Sequence, residues 1–239
     1  MSGHSHFATI KHKKGIADAK RGKVFSKLAR VITIAAKEKG ADPETNPNLR
    51  VLIDQARKVN MPKENIERAI KKGTGELAGD NLEEITLEAY GPEKSALILE
   101  GITDNKNRTI SEVKIILNQY NGKMANEGSV KWLFDKKGIV IINNERETLN
   151  KKEELELLVI EAGAEDISWE ENLLYIYTKP EELENVKRNL EEKKIEIESS
   201  TLGWLPKETI EVPEKNSLQK LFEALEDNDD IQEIYSNLK

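Results

Sequence analysis

Cations are the chemically distinctive side chains of the first 77 residues. Lys11, His12, Lys13 and Lys14 stand side by side, and Lys20, Arg21, Lys23, Lys27 and Arg30 follow at short intervals. Ammonium and guanidinium groups at this density displace the counterions condensed on a polyanion, so they point to sequence-independent phosphate binding. The charge balance is one-sided. Residues 1–77 hold 17 Lys and Arg against 8 Asp and Glu, about +9, whereas the whole chain is formally −7, leaving about −16 on the remainder. A basic segment meant for a polyanion is thus joined to an acidic body.

Other chemistry is poorly supplied. The chain has no Cys, which excludes a thiol nucleophile, a disulfide framework and thiolate metal sites. His4, His6 and His12 lack a second group of donors to complete a metal site. The Gly73-Thr74-Gly75 run lacks the spacing of a phosphate loop. Residues 143–199 carry 17 acidic against 8 basic residues, but no His or Cys accompanies the glutamates, which read as solvated surface rather than paired catalytic carboxylates. The expectation is a binding protein without cofactor, metal or small-molecule substrate, and not an enzyme. No stretch nears the roughly 18 apolar residues of a membrane span, and no apolar secretory segment opens the sequence. A soluble cytoplasmic chain with no membrane partner is expected.

The elements that must carry the cations are helical. Over residues 17–39, at about 100° per residue, Val24, Phe25, Leu28, Val31, Ile32 and Ala35 share one face, with Lys20, Lys23, Lys27, Arg30 and Lys37 opposite. Ile34 alone interrupts the basic side. Gly40 stops this helix, Asn46 caps a second over about 47–59 with Pro47 in its first turn, and Pro62 opens a third over about 62–72. Arg57, Lys71 and Lys72 then extend the basic surface outside a small three-helix core.

Beyond Gly75 the composition turns β-rich. Residues 85–90 and 96–102 read as strands turning at Gly91-Pro92, followed by a helix over about 108–120 whose start is offered caps by Asp104, Asn105 and Asn107. Trp132 and Phe134 read as core beside a hinge at residues 135–138. Residues 138–199 read as strand, helix, strand, strand, helix, strand, the order of a ferredoxin-like unit. The last stretch, with Trp204 and Pro206 as packing and strand-edge residues, a helix over about 216–226 and a strand at IQEIY, is too short to bury much alone. It is expected to return and pair with the strands of residues 82–134.

The blocks GHS, ATIKHKKG, DAKRGKVFSKL, DPETNPNLR, ARKVNMPKENIERAIKKGTGEL, TDNKNRT, GSVKWLFDKKG and DDIQEIYSN, in that order, resemble the YebC/PmpR family, which includes the mitochondrial translational activator of cytochrome c oxidase. Phe7 stands where the family usually carries Trp, and MANEG at residues 124–128 replaces a usual Gly-rich sequence. The resemblance implies an α+β, multidomain chain. Its parts would be a basic three-helix domain over 1–78, an α/β domain over 79–134 completed by 203–239, and an inserted acidic ferredoxin-like domain over 135–202.

The resemblance also implies a nucleic-acid-binding regulator of gene expression. Mitochondrial relatives act in translation and bacterial relatives in relieving stalls at proline-rich stretches, so the leading expectation is a ribosome-associated factor contacting rRNA, with ribosomal proteins or tRNA as further partners. The alternative is a transcriptional regulator on duplex DNA. The lysine-rich face suits phosphates better than base edges, which favours the first.

Overall fold

Punctuation residues set the helical lobe. The computed structural model describes residues 18–79, 81–144, 152–212 and 215–239. Helices α1 (Asp18–Lys39), α2 (Pro47–Lys58) and α3 (Lys63–Gly73) pack around Leu28, Ile32, Leu49, Ile53, Ala56 and Ile66. Asn46 ties the first two together. Its fully buried amide oxygen accepts from the Leu49 N–H, capping α2, and its amide nitrogen donates to the carbonyls of Ala35 and Gly40 at the end of α1.

The middle lobe is a four-stranded antiparallel sheet in the order β3-β1-β2-β8, from β1 (Glu83–Tyr90), β2 (Ala96–Thr103), β3 (Lys123–Met124) and β8 (Ile231–Ser236). Helices α4 (Lys106–Gln119) and α7 (Lys215–Glu226) supply Val113, Leu117, Leu221, Phe222 and Leu225 against Leu87, Leu97 and Leu99 of the sheet. The C-terminal strand does return: β8 lies against β2, so the middle lobe is built from both ends of its sequence.

Between β3 and α7 the chain makes the third lobe: β4 (Phe134–Asn143), α5 (Lys152–Glu161), β5 (Asp166–Glu170), β6 (Leu173–Thr178), α6 (Leu183–Glu192) and β7 (Ser199–Pro206). The strand order β5-β6-β4-β7, antiparallel throughout, is that of a ferredoxin-like βαββαβ unit. Val140, Ile142, Leu174 and Ile176 face Leu155, Val159, Val186 and Leu190 of the two helices.

Two local expectations are corrected. Residues 135–138 are not a hinge: Asp135, Lys136 and Lys137 pair with Leu205, Trp204 and Gly203 in a continuous ladder from Phe134↔Pro206 onward. Gly138 marks a close approach instead, since a Cβ there would lie 2.9 Å from Leu183 and closer still to the Thr178 hydroxyl. Nor is Trp132 core. Residues 131–133 form a single 3-10 turn rather than a strand, so Val130 and Phe134 take the buried positions while Trp132 points outward, 65% exposed.

Candidate nucleic-acid interface

The basic side of α1 is the natural place to look for a phosphate contact, and much of it is occupied by protein. Lys23 Nζ lies 2.7 Å from Asp227 Oδ1. Lys27, only 4% exposed, donates to the Glu226 carbonyl at 2.9 Å. Arg30 Nη1 donates to the Ile102 carbonyl at 2.7 Å and pairs with Asp230 Oδ1 at 2.8 Å. Further along, Lys37 Nζ reaches Asn81 Oδ1 and the Leu82 carbonyl. Lys23, Lys27 and Arg30, opposite the apolar stripe of α1, thus meet the turn Glu226-Asp227-Asn228-Asp229-Asp230, which leads from α7 into β8.

Asp230 is the centre of this junction. Its side chain is 4% exposed. It accepts from the hydroxyls of Thr103 and Thr109 and from Arg108 Nη2 at 2.8 Å, besides pairing with Arg30. Burial alone would push the Asp230 carboxyl up, but the Thr109, Arg108, Arg30 and Thr103 contacts outweigh it and hold the carboxyl below its ordinary range. The same Arg108 Nη2 also pairs with Asp104 at 2.7 Å. Asn105 caps α4 through the Arg108 N–H. Gly101 completes the fit, because any Cβ there would meet the Asp230 carbonyl oxygen at 2.6 Å. The TDNKNRT segment therefore receives the C-terminal turn through Thr103, Arg108 and Thr109, with Asp104 holding Arg108 in place.

The expected contact residues accordingly fall into groups. Lys11, His12, Lys13 and Lys14 lie outside the described residues, as does the side chain of Lys20. Arg21 is exposed near the start of α1. For Lys23, Lys27 and Arg30 the structure corrects the expectation of an open face: they hold the helical lobe to the middle lobe, because the acidic turn before β8 folds back onto them. Arg57, Lys71 and Lys72 do face solvent, with Arg57 paired to Asp54 at 3.1 Å. Arg50, Lys58, Lys63 and Arg68 are exposed on the same two helices, α2 and α3. Among the described residues, the outward cations of the helical lobe thus include Arg21 and Lys39 near the two ends of α1 and a larger group on α2 and α3. A cleft of about 580 Å³ opens beside the junction, with Arg68 and Lys72 on one wall and Asp104, Arg108 and Asp229 on the other.

One sequence signal did mark this side of α1 as covered: Ile34, the single apolar residue on its basic side, is 8% exposed. A solvated face would leave an isoleucine there in water.

Comparisons with known proteins agree with this architecture over the whole chain. The profile described as TACO1/YebC protein N-terminal domain matches residues 5–76, and that described as TACO1/YebC second and third domain matches residues 82–238. The chain belongs to the TACO1/YebC family. A family member of Persephonella marina, named a probable transcriptional regulatory protein, is 48% identical over 246 residues, covering 100% of this chain and 96% of its own. One of Thermotoga maritima with the same name is 48% identical over 242 residues, covering 100% and 94%. The crystal structure of a conserved hypothetical protein from Aquifex aeolicus superposes with a TM-score of 0.87 at 45% identity, covering 98% of this chain and 97% of that one. The TACO1/YebC chain described here has no helix, among the described residues, long and apolar enough to cross a membrane. Among the same residues no group of three or more His, Cys, Asp or Glu is placed to hold a metal ion.

Proposed function

We propose that the protein is a nucleic-acid-binding regulator of gene expression that works by binding rather than catalysis, as a ribosome-associated factor on structured RNA. The observation that carries this reading is the engagement of α1. Reading duplex DNA needs an element free to enter the major groove with Arg, Asn or Gln toward base edges. From Lys23 to Arg30, the cationic side of the longest basic helix is closed off by Asp227, Asp230 and the Glu226 carbonyl. Among the described residues, the outward cations are spread over α2 and α3 and the ends of α1 on one of three lobes, which suits phosphate ridges presented by a large folded particle. Separated lobes on one particle raise avidity without new contacts. By the family resemblance, the task on the ribosome is to help elongation through difficult, proline-rich stretches, with rRNA and then tRNA or ribosomal proteins as partners.

A second reading, a transcriptional regulator on duplex DNA, is favoured by the names that the relatives carry. Binding to purified ribosomes, to a random duplex and to candidate promoter DNA at one physiological salt concentration separates the two. The ribosomal reading expects co-sedimentation with ribosomes and weak discrimination among duplexes. Discrimination beyond about a thousandfold among duplex sequences, without ribosome association, would put the transcriptional reading first.

A further inference from the structure

Trp132 is a large apolar side chain held out in water by a rigid support. Beneath it, the buried carboxylate of Glu88 accepts three backbone N–H groups of the turn, from Gly128 and Val130 at 2.6 Å and Lys131 at 2.8 Å. The indole N–H of Trp132 donates to the Ser129 carbonyl at 2.9 Å, and the Tyr90 hydroxyl donates to the same oxygen at 3.1 Å. With Val130 fully buried on one side and Phe134 on the other, the turn has little freedom to fold the ring back.

Cations surround this turn. Lys131 and Lys136 carry their ammonium groups 4.9 and 5.6 Å from the centre of the Trp204 ring, and Lys123 lies 5.9 Å from that of Tyr90. Residues 120–137 hold Lys123, Lys131, Lys136 and Lys137 against Glu127 and Asp135, a local excess of cations in a body of about −16, although Lys137 is paired with Glu165 at 2.7 Å. An exposed aromatic face on a turn whose neighbouring rings, Tyr90 and Trp204, carry ammonium groups can stack an unpaired base while the flanking phosphates meet those cations. A protein-docking surface would surround the tryptophan with apolar and aromatic residues, and lysine is depleted there.

We propose that the Trp132 turn is a second nucleic-acid contact, separate from the helical lobe, that stacks an unpaired nucleobase of single-stranded or looped RNA with phosphates on Lys123, Lys131 and Lys136. This rests on the reading that the chain binds RNA, and it adds what part of the RNA is recognised. The test uses the full chain with a short single-stranded oligoribonucleotide and a blunt RNA duplex of the same sequence, following affinity and tryptophan fluorescence. Trp132→Ala is expected to weaken single-strand binding about fivefold to a hundredfold and leave duplex binding unchanged. Trp132→Phe should restore most of that affinity, and Lys131→Ala with Lys136→Ala should flatten the salt dependence. An unchanged melting temperature keeps the comparison valid, as expected for an exposed side chain. Single-strand affinity of Trp132→Ala equal to the parent's overturns the proposal, even if the turn then proves to dock protein, while the RNA reading stands. Failure of the parent to bind either RNA overturns both.

Discussion

Among the described residues the lobes meet at two junctions, and these are built from opposite materials. The helical lobe meets the middle lobe through charge: Lys23 on Asp227, Lys27 on a carbonyl, and Arg30 and Arg108 converging on Asp230. The middle lobe meets the inserted lobe through apolar and aromatic packing, with Ala96, Ile98, Val130, Phe134, Trp204 and Tyr235 in one buried cluster and the β4–β7 ladder running through it. Each has one carboxyl at its heart. Asp230 is held below its ordinary range by cations and hydroxyls. Glu100 is pushed up, by burial first, despite hydrogen bonds from the Trp204 indole and Tyr235 hydroxyl and the nearby Lys136 ammonium. A charged junction can be screened and reversed. A packed one with continuous strands ties its lobes together.

Breaking the charged junction at its centre should have the largest effect. Asp230→Ala strands two guanidinium groups and two hydroxyls around an empty position, and should cost about 4 kcal/mol of stability by chemical denaturation. Trp204→Ala should cost about 3 kcal/mol at the packed junction. The two should differ in their response to salt: the first junction has an exposed pair at Lys23 and Asp227 and should loosen as ionic strength rises, whereas the second should not.

Acid sharpens the same contrast. A carboxyl depressed below 3.8 stabilises the fold above that pH, so the Asp230 contribution should disappear as pH falls through its folded value. Glu100 runs the other way, because a carboxyl raised above 4.5 opposes folding increasingly as pH climbs past that value. Glu100→Gln should therefore melt higher than the parent at pH 7, with the difference vanishing below about pH 4.5. The smallest effect belongs to Lys23→Ala, an exposed pair whose removal should move stability by less than about 0.5 kcal/mol.

Local signals make most of the fold legible. Asn46-Pro47, Pro62 and Gly40 place the helices because capping and proline geometry are properties of a few neighbouring residues. The strand order of the inserted lobe follows from the βαββαβ succession, and the return of IQEIY from the need of a short segment to bury itself. Long-range pairing is what stays hidden. Helical periodicity separates an apolar side of α1 from a cationic one, but it does not say whether cations face water, phosphate or another part of the chain. The charged partner of Arg30 lies 200 residues away in Asp230, and nothing in the local spacing of either residue marks the pair. Trp132 escapes a sequence reading for a smaller reason: one 3-10 turn breaks the alternation that would have buried it.

If the cations of α1 hold lobes together while those of α2 and α3 meet phosphate, the salt dependence of ribosome binding will separate two variants, Lys23→Ala with Arg30→Ala, and Arg57→Ala with Lys71→Ala and Lys72→Ala. The second variant should keep its melting temperature and flatten the slope by about 0.7 to 0.9 for each phosphate no longer neutralised. The first should melt lower without flattening the slope. If it instead flattens the slope by two such increments while its melting temperature stays with the parent's, Lys23 and Arg30 bind phosphate and this division of roles is wrong.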